Sequence, residues 1–86
     1  MYQLVFLPIA KKELTKLDFA IQKRIKEKLL LLCANPEALK NNIKSLKGEH
    51  GGKFRLRVNQ YRIIFSIEED KLIITIIRIR HRKEVY

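Results

Sequence analysis

Between Lys53 and Ile67 the chain reads Lys-Phe-Arg-Leu-Arg-Val-Asn-Gln-Tyr-Arg-Ile-Ile-Phe-Ser-Ile. Apolar and polar side chains alternate strictly through Phe54–Val58, which is the period of a half-buried strand and not of a helix, whose faces repeat every 3.6 residues. Asn59-Gln60 follows where a two-residue turn would reverse that strand. A β-hairpin closed there sets Val58 opposite Tyr61, Leu56 opposite Ile63 and Phe54 opposite Phe65, so these six share one apolar face. The other face then carries Lys53, Arg55, Arg57 and Arg62, with Arg57 and Arg62 directly opposite each other. Like charges in that position cost stability, so the face is expected to meet an anion. A solvated basic face is the plainer alternative, since charge on an outer strand face is ordinary.

Eighty-six residues make one small domain, 1–86, with a single core that must take nearly all the apolar side chains. The lone Cys33 excludes an internal disulfide and reads as core filler. No paired Cys/His spacing offers a zinc site, so no metal or cofactor is expected. The apolar run from Met1 to Leu7 has no basic leader and ends at Pro8, too short for a signal peptide or a membrane span; a soluble, cytoplasmic protein is expected. Nineteen Lys and Arg stand against nine Asp and Glu, a net +10, which attracts nucleic acid or an acidic partner. The balance is +4 over residues 1–43 and +6 over 44–86, where Glu68, Glu69 and Asp70 are bunched in one expected turn.

Taken in order, Tyr2–Leu7 reads as a strand and Pro8 opens a short helix with Leu7, Ala10, Leu14 and Leu17 at helical spacing. Asp18 can cap a longer helix striped by Ile21, Ile25, Leu29, Leu32 and Cys33, which Asn35-Pro36 stops. Its Lys23, Arg24, Lys26, Glu27 and Lys28 face outward, as a solvated face or as an electrostatic attachment to RNA or an acidic partner. Glu37–Gly52 reads as an irregular or single-turn segment and then a loop. Gly48–Lys53 fails as a phosphate-binding loop, because the glycine spacing is short by one, Phe54 replaces the required hydroxyl residue and a strand follows. After a turn at Glu68–Lys71, the β-branched run Leu72–Ile77 reads as a central strand covered on both faces. Whether Arg78 and Arg80 join the face of Arg62 depends on register, because a slip of one residue swaps faces. The expected fold is α+β: an N-terminal strand, a helical hairpin, then a three-stranded antiparallel meander, with the helices packed on one face of a small antiparallel sheet.

Tyr61-Arg62-Ile63-Ile64-Phe65 in a hairpin, the hydrophobic strand after it, the Leu46-Lys47-Gly48 loop and the terminal His81-Arg82-Lys83-Glu84-Val85-Tyr86 together resemble the RelE branch of the RelE/ParE toxin superfamily over essentially the whole chain. The resemblance implies the toxin of a type II toxin–antitoxin pair: a ribonuclease that enters the ribosomal A site, cuts messenger RNA there and is held inactive by an acidic, RelB-like antitoxin. It also implies roles residue by residue. Lys53 and Arg55 match the basic pair around the scissile phosphate, and Arg62 matches the arginine that stabilises its developing charge. Arg82 matches the C-terminal arginine that protonates the leaving oxygen or holds the phosphate, and Tyr86 the tyrosine that stacks on or orients a nucleotide. Lys47, Arg57, Arg80 and Lys83 complete the RNA-binding set.

Two departures from the pattern stand out. Arg55 occupies the place of a lysine, and a guanidinium's pKa is too high for easy deprotonation, so His81 stands beside Arg55 as the alternative general base. The chain also reaches Tyr86 without a terminal helix. His50 could titrate near substrate, or be a solvated loop histidine. Two rival functions share the sequence features: a ParE-like inhibitor of DNA gyrase with the same fold, and a non-catalytic nucleic-acid-binding module for which the charge alone suffices.

Overall fold

The computed structural model describes residues 1–46 and 52–85. Strand β1 (Gln3–Phe6) leads through Pro8 at the first helical position into α1 (Pro8–Thr15), and α2 (Phe19–Ala34) follows. Asp18 stands at the N-cap of α2 as expected, but its side chain makes no capping hydrogen bond. The stripe on α2 is as read from the sequence, with Ile25, Leu29, Leu32 and Cys33 buried. A 3₁₀ segment, Pro36–Asn42, fills the stretch expected to be irregular, and it delivers a strand that the sequence reading missed, β2 (Ile43–Ser45). Gly52, at φ 82°, adopts the left-handed conformation that glycine takes without strain, and β3 (Lys53–Val58) starts immediately after it.

The hairpin forms in the expected register. Strand β4 (Tyr61–Glu68) pairs with β3 so that Phe54 faces Phe65, Leu56 faces Ile63, Arg57 faces Arg62 and Val58 faces Tyr61. Asn59 takes φ 54° in the turn, a conformation asparagine tolerates better than most residues. Strand β5 (Ile73–His81) starts one residue later than the β-branched run suggests, because Leu72 lies in the turn at φ 55° and is exposed. It is flanked by β1 and β4 in a five-stranded sheet of order β1-β5-β4-β3-β2, and no residue of it is exposed. The sheet is antiparallel except at β1, which runs parallel to β5 after the helical crossover. The last element is α3, a four-residue helical turn at Arg82–Val85, where the sequence reading expects none.

The helices cover one face. Ala10, Leu14, Ile25, Leu29 and Leu32 pack with Leu56, Ile63, Phe65, Ile74, Ile76 and Ile79 in one core. Each large side chain fully buried there is worth about 1.5–3 kcal/mol relative to exposure. Phe54 and Phe65 stack at 5.6 Å across the first hairpin.

One irregularity decides what the opposite face carries. Phe65 pairs with Ile76 but Ile64 pairs with Arg78, so Ile77 is the extra residue of a β-bulge. Ile74 and Ile76 point into the core before it, and Ile79 points into the core after it. Without the bulge the period of two would carry Arg78 and Arg80 into the core behind Ile74 and Ile76. With it, both arginines join the face of Arg62. The register that the sequence leaves open is therefore settled by Ile77 and not by the length of the preceding turn.

Candidate nucleic-acid interface

The uncovered face of the sheet is a basic surface built by register. Lys44 on β2 lies beside Arg55, Arg57 beside Arg62, and Arg62 beside Arg80. Neighbouring strands lie about 4.8 Å apart, so Arg57, Arg62 and Arg80 form a row across three strands only about 10 Å wide. Lys53 is on the same face but four residues along β3 from Arg57, about 13 Å away at the usual strand rise. It marks the far end of the surface.

Arg62 is the centre. Its guanidinium is half-buried, and its Nη1 donates to the carbonyls of Tyr61 (3.1 Å) and Asn59 (3.3 Å). Its Nε is buried and, among the described residues, has no hydrogen-bond partner. Burial pushes its pKa below the ordinary arginine value, and the charges of Arg55, Arg57 and Arg82 push it further in the same direction. Four cations are thus close enough to oppose one another's charge, and they come from β3, β4 and α3. Arg82 reaches the group because its backbone N–H donates to the carbonyl of Gln60 (2.7 Å), tying the first residue of α3 to the hairpin turn.

The part of the face beside α1 is neutralised. Glu13 of α1, absent from the expected site, receives hydrogen bonds from Arg78 Nε (3.2 and 3.3 Å) and Nη2 (2.9 Å). It also accepts the backbone N–H of Ile79 at 2.8 Å. Strand β1 pairs with β5 only as far as Ile76 and then turns into α1, so the carboxylate serves the stretch of β5 that has no neighbouring strand on that side. Partial burial pushes the Glu13 pKa up, but the bonds from Arg78 and Ile79 and the charges of Arg78 and Arg80 outweigh it, and the net shift is downward. Arg78 is raised in turn by its hydrogen bond to Glu13. Arg80 lies 4.0 Å from Glu13 and 3.4 Å from Glu84.

His81 stands apart from the arginines. It pairs with Tyr61, its ring meets the tyrosine edge-on at 5.3 Å, and both lie on the side of the sheet that carries Val58. Its Nδ1 accepts the N–H of Lys83 at 3.2 Å, so that nitrogen's lone pair is already engaged. Lys83 itself is exposed beside it. Lys47, His50 and Tyr86 lie outside the described residues. Of the residues expected at the site, Arg55, Arg57, Arg62, Arg80 and Arg82 are thus gathered, Lys53 lies at the margin, and His81 is on the other side of the sheet. On the helical side, a second concavity of about 490 Å³ between β1, α1 and α2 is lined by Leu4, Phe6, Leu14 and Leu30 and rimmed by Lys11 and Lys26.

Such an arrangement can hold a phosphate group, and the acids beside it, Glu13 and Glu84, are engaged with Arg78 and Arg80. The model of the ParE toxin of type II toxin–antitoxin systems matches residues 4–86. The chain belongs to the RelE/ParE superfamily of type II toxins. It is 33% identical over 87 residues to a RelE-like toxin protein of Escherichia coli, an alignment covering 99% of this chain and 90% of that one. It is 29% identical, with the same coverage, to the mRNA interferase toxin RelE of Escherichia coli. Among solved structures it resembles the RelE–RelB complex of the archaeon Pyrococcus horikoshii, with a TM-score of 0.80, 25% identity and 94% of each chain covered. For this superfamily member the arginine row, and not any single residue, is the feature a function has to explain. Among the described residues no helix is long and apolar enough to cross a membrane.

Proposed function

We propose that this toxin is a ribosome-dependent mRNA endoribonuclease that halts translation by cutting messenger RNA in the ribosomal A site. The observation that carries the reading is the gathering of Arg55, Arg57 and Arg82 around Arg62, whose pKa burial and then their charges push down, a crowding that an RNA phosphate would relieve. The 29% identical relative named an mRNA interferase agrees with it. In the reaction the substrate's own 2′-oxygen attacks the adjacent phosphorus, the bond from phosphorus to the 5′-oxygen breaks, and the products end in a 2′,3′-cyclic phosphate and a 5′-hydroxyl. One proton leaves the 2′-hydroxyl and one is delivered to the departing 5′-oxygen, so no protein nucleophile is consumed. The enzyme's contribution is alignment and stabilisation of the charge on the phosphorane oxygens. Arg62 takes that charge, Arg55 and Arg57 align the phosphate, and Arg82 stands by the leaving oxygen.

The partner that follows is an antitoxin of the RelB kind, as in the archaeal RelE–RelB complex. An acidic amphipathic helix suits the concavity between β1, α1 and α2, where an apolar floor is rimmed by Lys11 and Lys26. Binding should weaken with salt only in part, because apolar contacts remain.

The test is to add the protein to a translating extract and map mRNA 5′ ends. Cuts positioned by codon that vanish with Arg62→Ala support the nuclease. Intact mRNA together with gyrase-linked DNA breaks would establish the ParE-like activity instead.

A further inference from the structure

Beside the arginine row, at the edge where the 3₁₀ segment enters β2, lies a concavity of about 240 Å³ lined by Asn41, Asn42, Ile43, Lys44, Arg55 and Arg57. Its volume is below that of sites for drug-sized ligands, about 300–1,000 Å³, and suits one flat ring system. Among the described residues neither asparagine's side-chain amide has a hydrogen-bond partner. Each therefore presents a free donor and a free acceptor at a wall whose other side is cationic. Lys44 and Arg55 are cross-strand partners, and Arg57 is the partner of Arg62. The pocket is thus about two strand spacings, roughly 10 Å, from the centre of the phosphate row.

We infer that this pocket is a nucleobase subsite that selects adenine next to the phosphate held by Arg57 and Arg62. Single-stranded RNA is recognised by splaying a base onto an aromatic ring or an arginine plane and reading its hydrogen-bonding edge. Arg57 offers the plane, and it is exposed on the pocket side of the row. An asparagine amide matches the paired acceptor and donor at N7 and N6 of adenine, which guanine replaces with two acceptors, and the double ring of a purine stacks more surface on the arginine plane than a pyrimidine does. Carboxylates are absent from the lining, so nothing there repels the neighbouring phosphate. Asn41 and Asn42 would then set which nucleotide is accepted while the arginines supply attraction common to all sequences. The inference rests on the reading of the basic face as an RNA surface, but not on its cutting RNA.

The experiment measures binding of four RNA trinucleotides, one of each base, to the full chain by fluorescence anisotropy at low salt. The wild type should prefer the adenine trinucleotide by about tenfold over the uracil one. Asn41→Ala/Asn42→Ala should abolish that preference with the thermal midpoint unchanged, and each single variant carries the same test if the double variant does not fold. Arg62→Ala should weaken all four alike and leave the preference in place. The inference is overturned if the wild type shows no base preference, or if the preference survives loss of both amides. Base-selective binding without mRNA cuts in the extract would keep the subsite and dismiss the nuclease, so the two failures are distinguishable.

Discussion

Two regions of the basic sheet face carry the same kind of side chain in opposite circumstances. Arg78 meets a carboxylate at 2.9 Å and its pKa rises; Arg62 is partly buried beside Arg55, Arg57 and Arg82, and burial and then their charges lower its pKa. Where a guanidinium serves the fold, the chain supplies the anion itself, from α1. Where Arg62 is crowded by three further arginines, their charges oppose its own, and folding gains nothing from that repulsion. The difference separates a structural end from a crowded cationic end within one sheet face, and under the proposed function the crowded end is the functional one, taking an anion from outside the chain.

The most severe way to break this comparison is to delete Ile77. Loss of the bulge residue turns Arg78 and Arg80 towards the core, and burying an ion costs several kcal/mol against a total stability of about 5–15 kcal/mol; the expected outcome is no folded protein by circular dichroism. Next comes Arg62→Ala, for which mRNA cleavage should fall about a hundredfold or more, equivalent to roughly 3 kcal/mol of lost stabilisation. Its thermal midpoint should hold or rise, because a repulsive pair is removed. Glu13→Ala should do the reverse, lowering stability by about 1–3 kcal/mol in urea melts, since the Ile79 N–H and Arg78 both lose their acceptor, while RNA binding is kept.

Acid sharpens the same contrast. The Glu13 pKa is depressed in the folded state, so its stabilisation is complete above the unfolded value near 4.5 and is lost as pH falls through the lower folded value. Melts between pH 7 and pH 3 should show that loss in the wild type and a smaller one in Glu13→Gln. Salt gives the smallest effect. Four phosphate-binding cations predict a slope of about −3 in log K against log salt for single-stranded RNA, reduced by about 0.7 in Arg62→Ala and unaltered in Arg78→Ala.

Much of this was legible in the residues. The first hairpin followed from strict alternation around Asn59-Gln60, and the stripe on α2 from helical spacing, because in both the local period and the tertiary burial agree. β2 escaped because three residues, Ile43–Ser45, are too short to show a period. Ile77 escaped for a different reason: in an unbroken run of β-branched residues no single one is marked as extra, yet the face of every later residue depends on it. Glu13 offered only the weak signal of an acid on a mostly basic helix, and its partners lie 65 and 66 residues away. The face on which His81 lies is a property of the register, which the residue type alone does not show. The positions of Arg55, Arg57 and Arg62 were readable because they belong to the hairpin whose register the turn dictates.

The most direct measurement follows the arginine side chains themselves. Arg62 Nε–H is buried and Arg78 Nε–H is bonded to Glu13, so both protons should exchange slowly enough to be seen by nitrogen–proton NMR. Titration with a short RNA carrying a 2′-deoxy residue at the cutting position should move the Arg62 resonance and leave that of Arg78 in place. Equal movement of both, or movement of neither at saturating RNA, would contradict the division of the sheet face into a structural and a functional end.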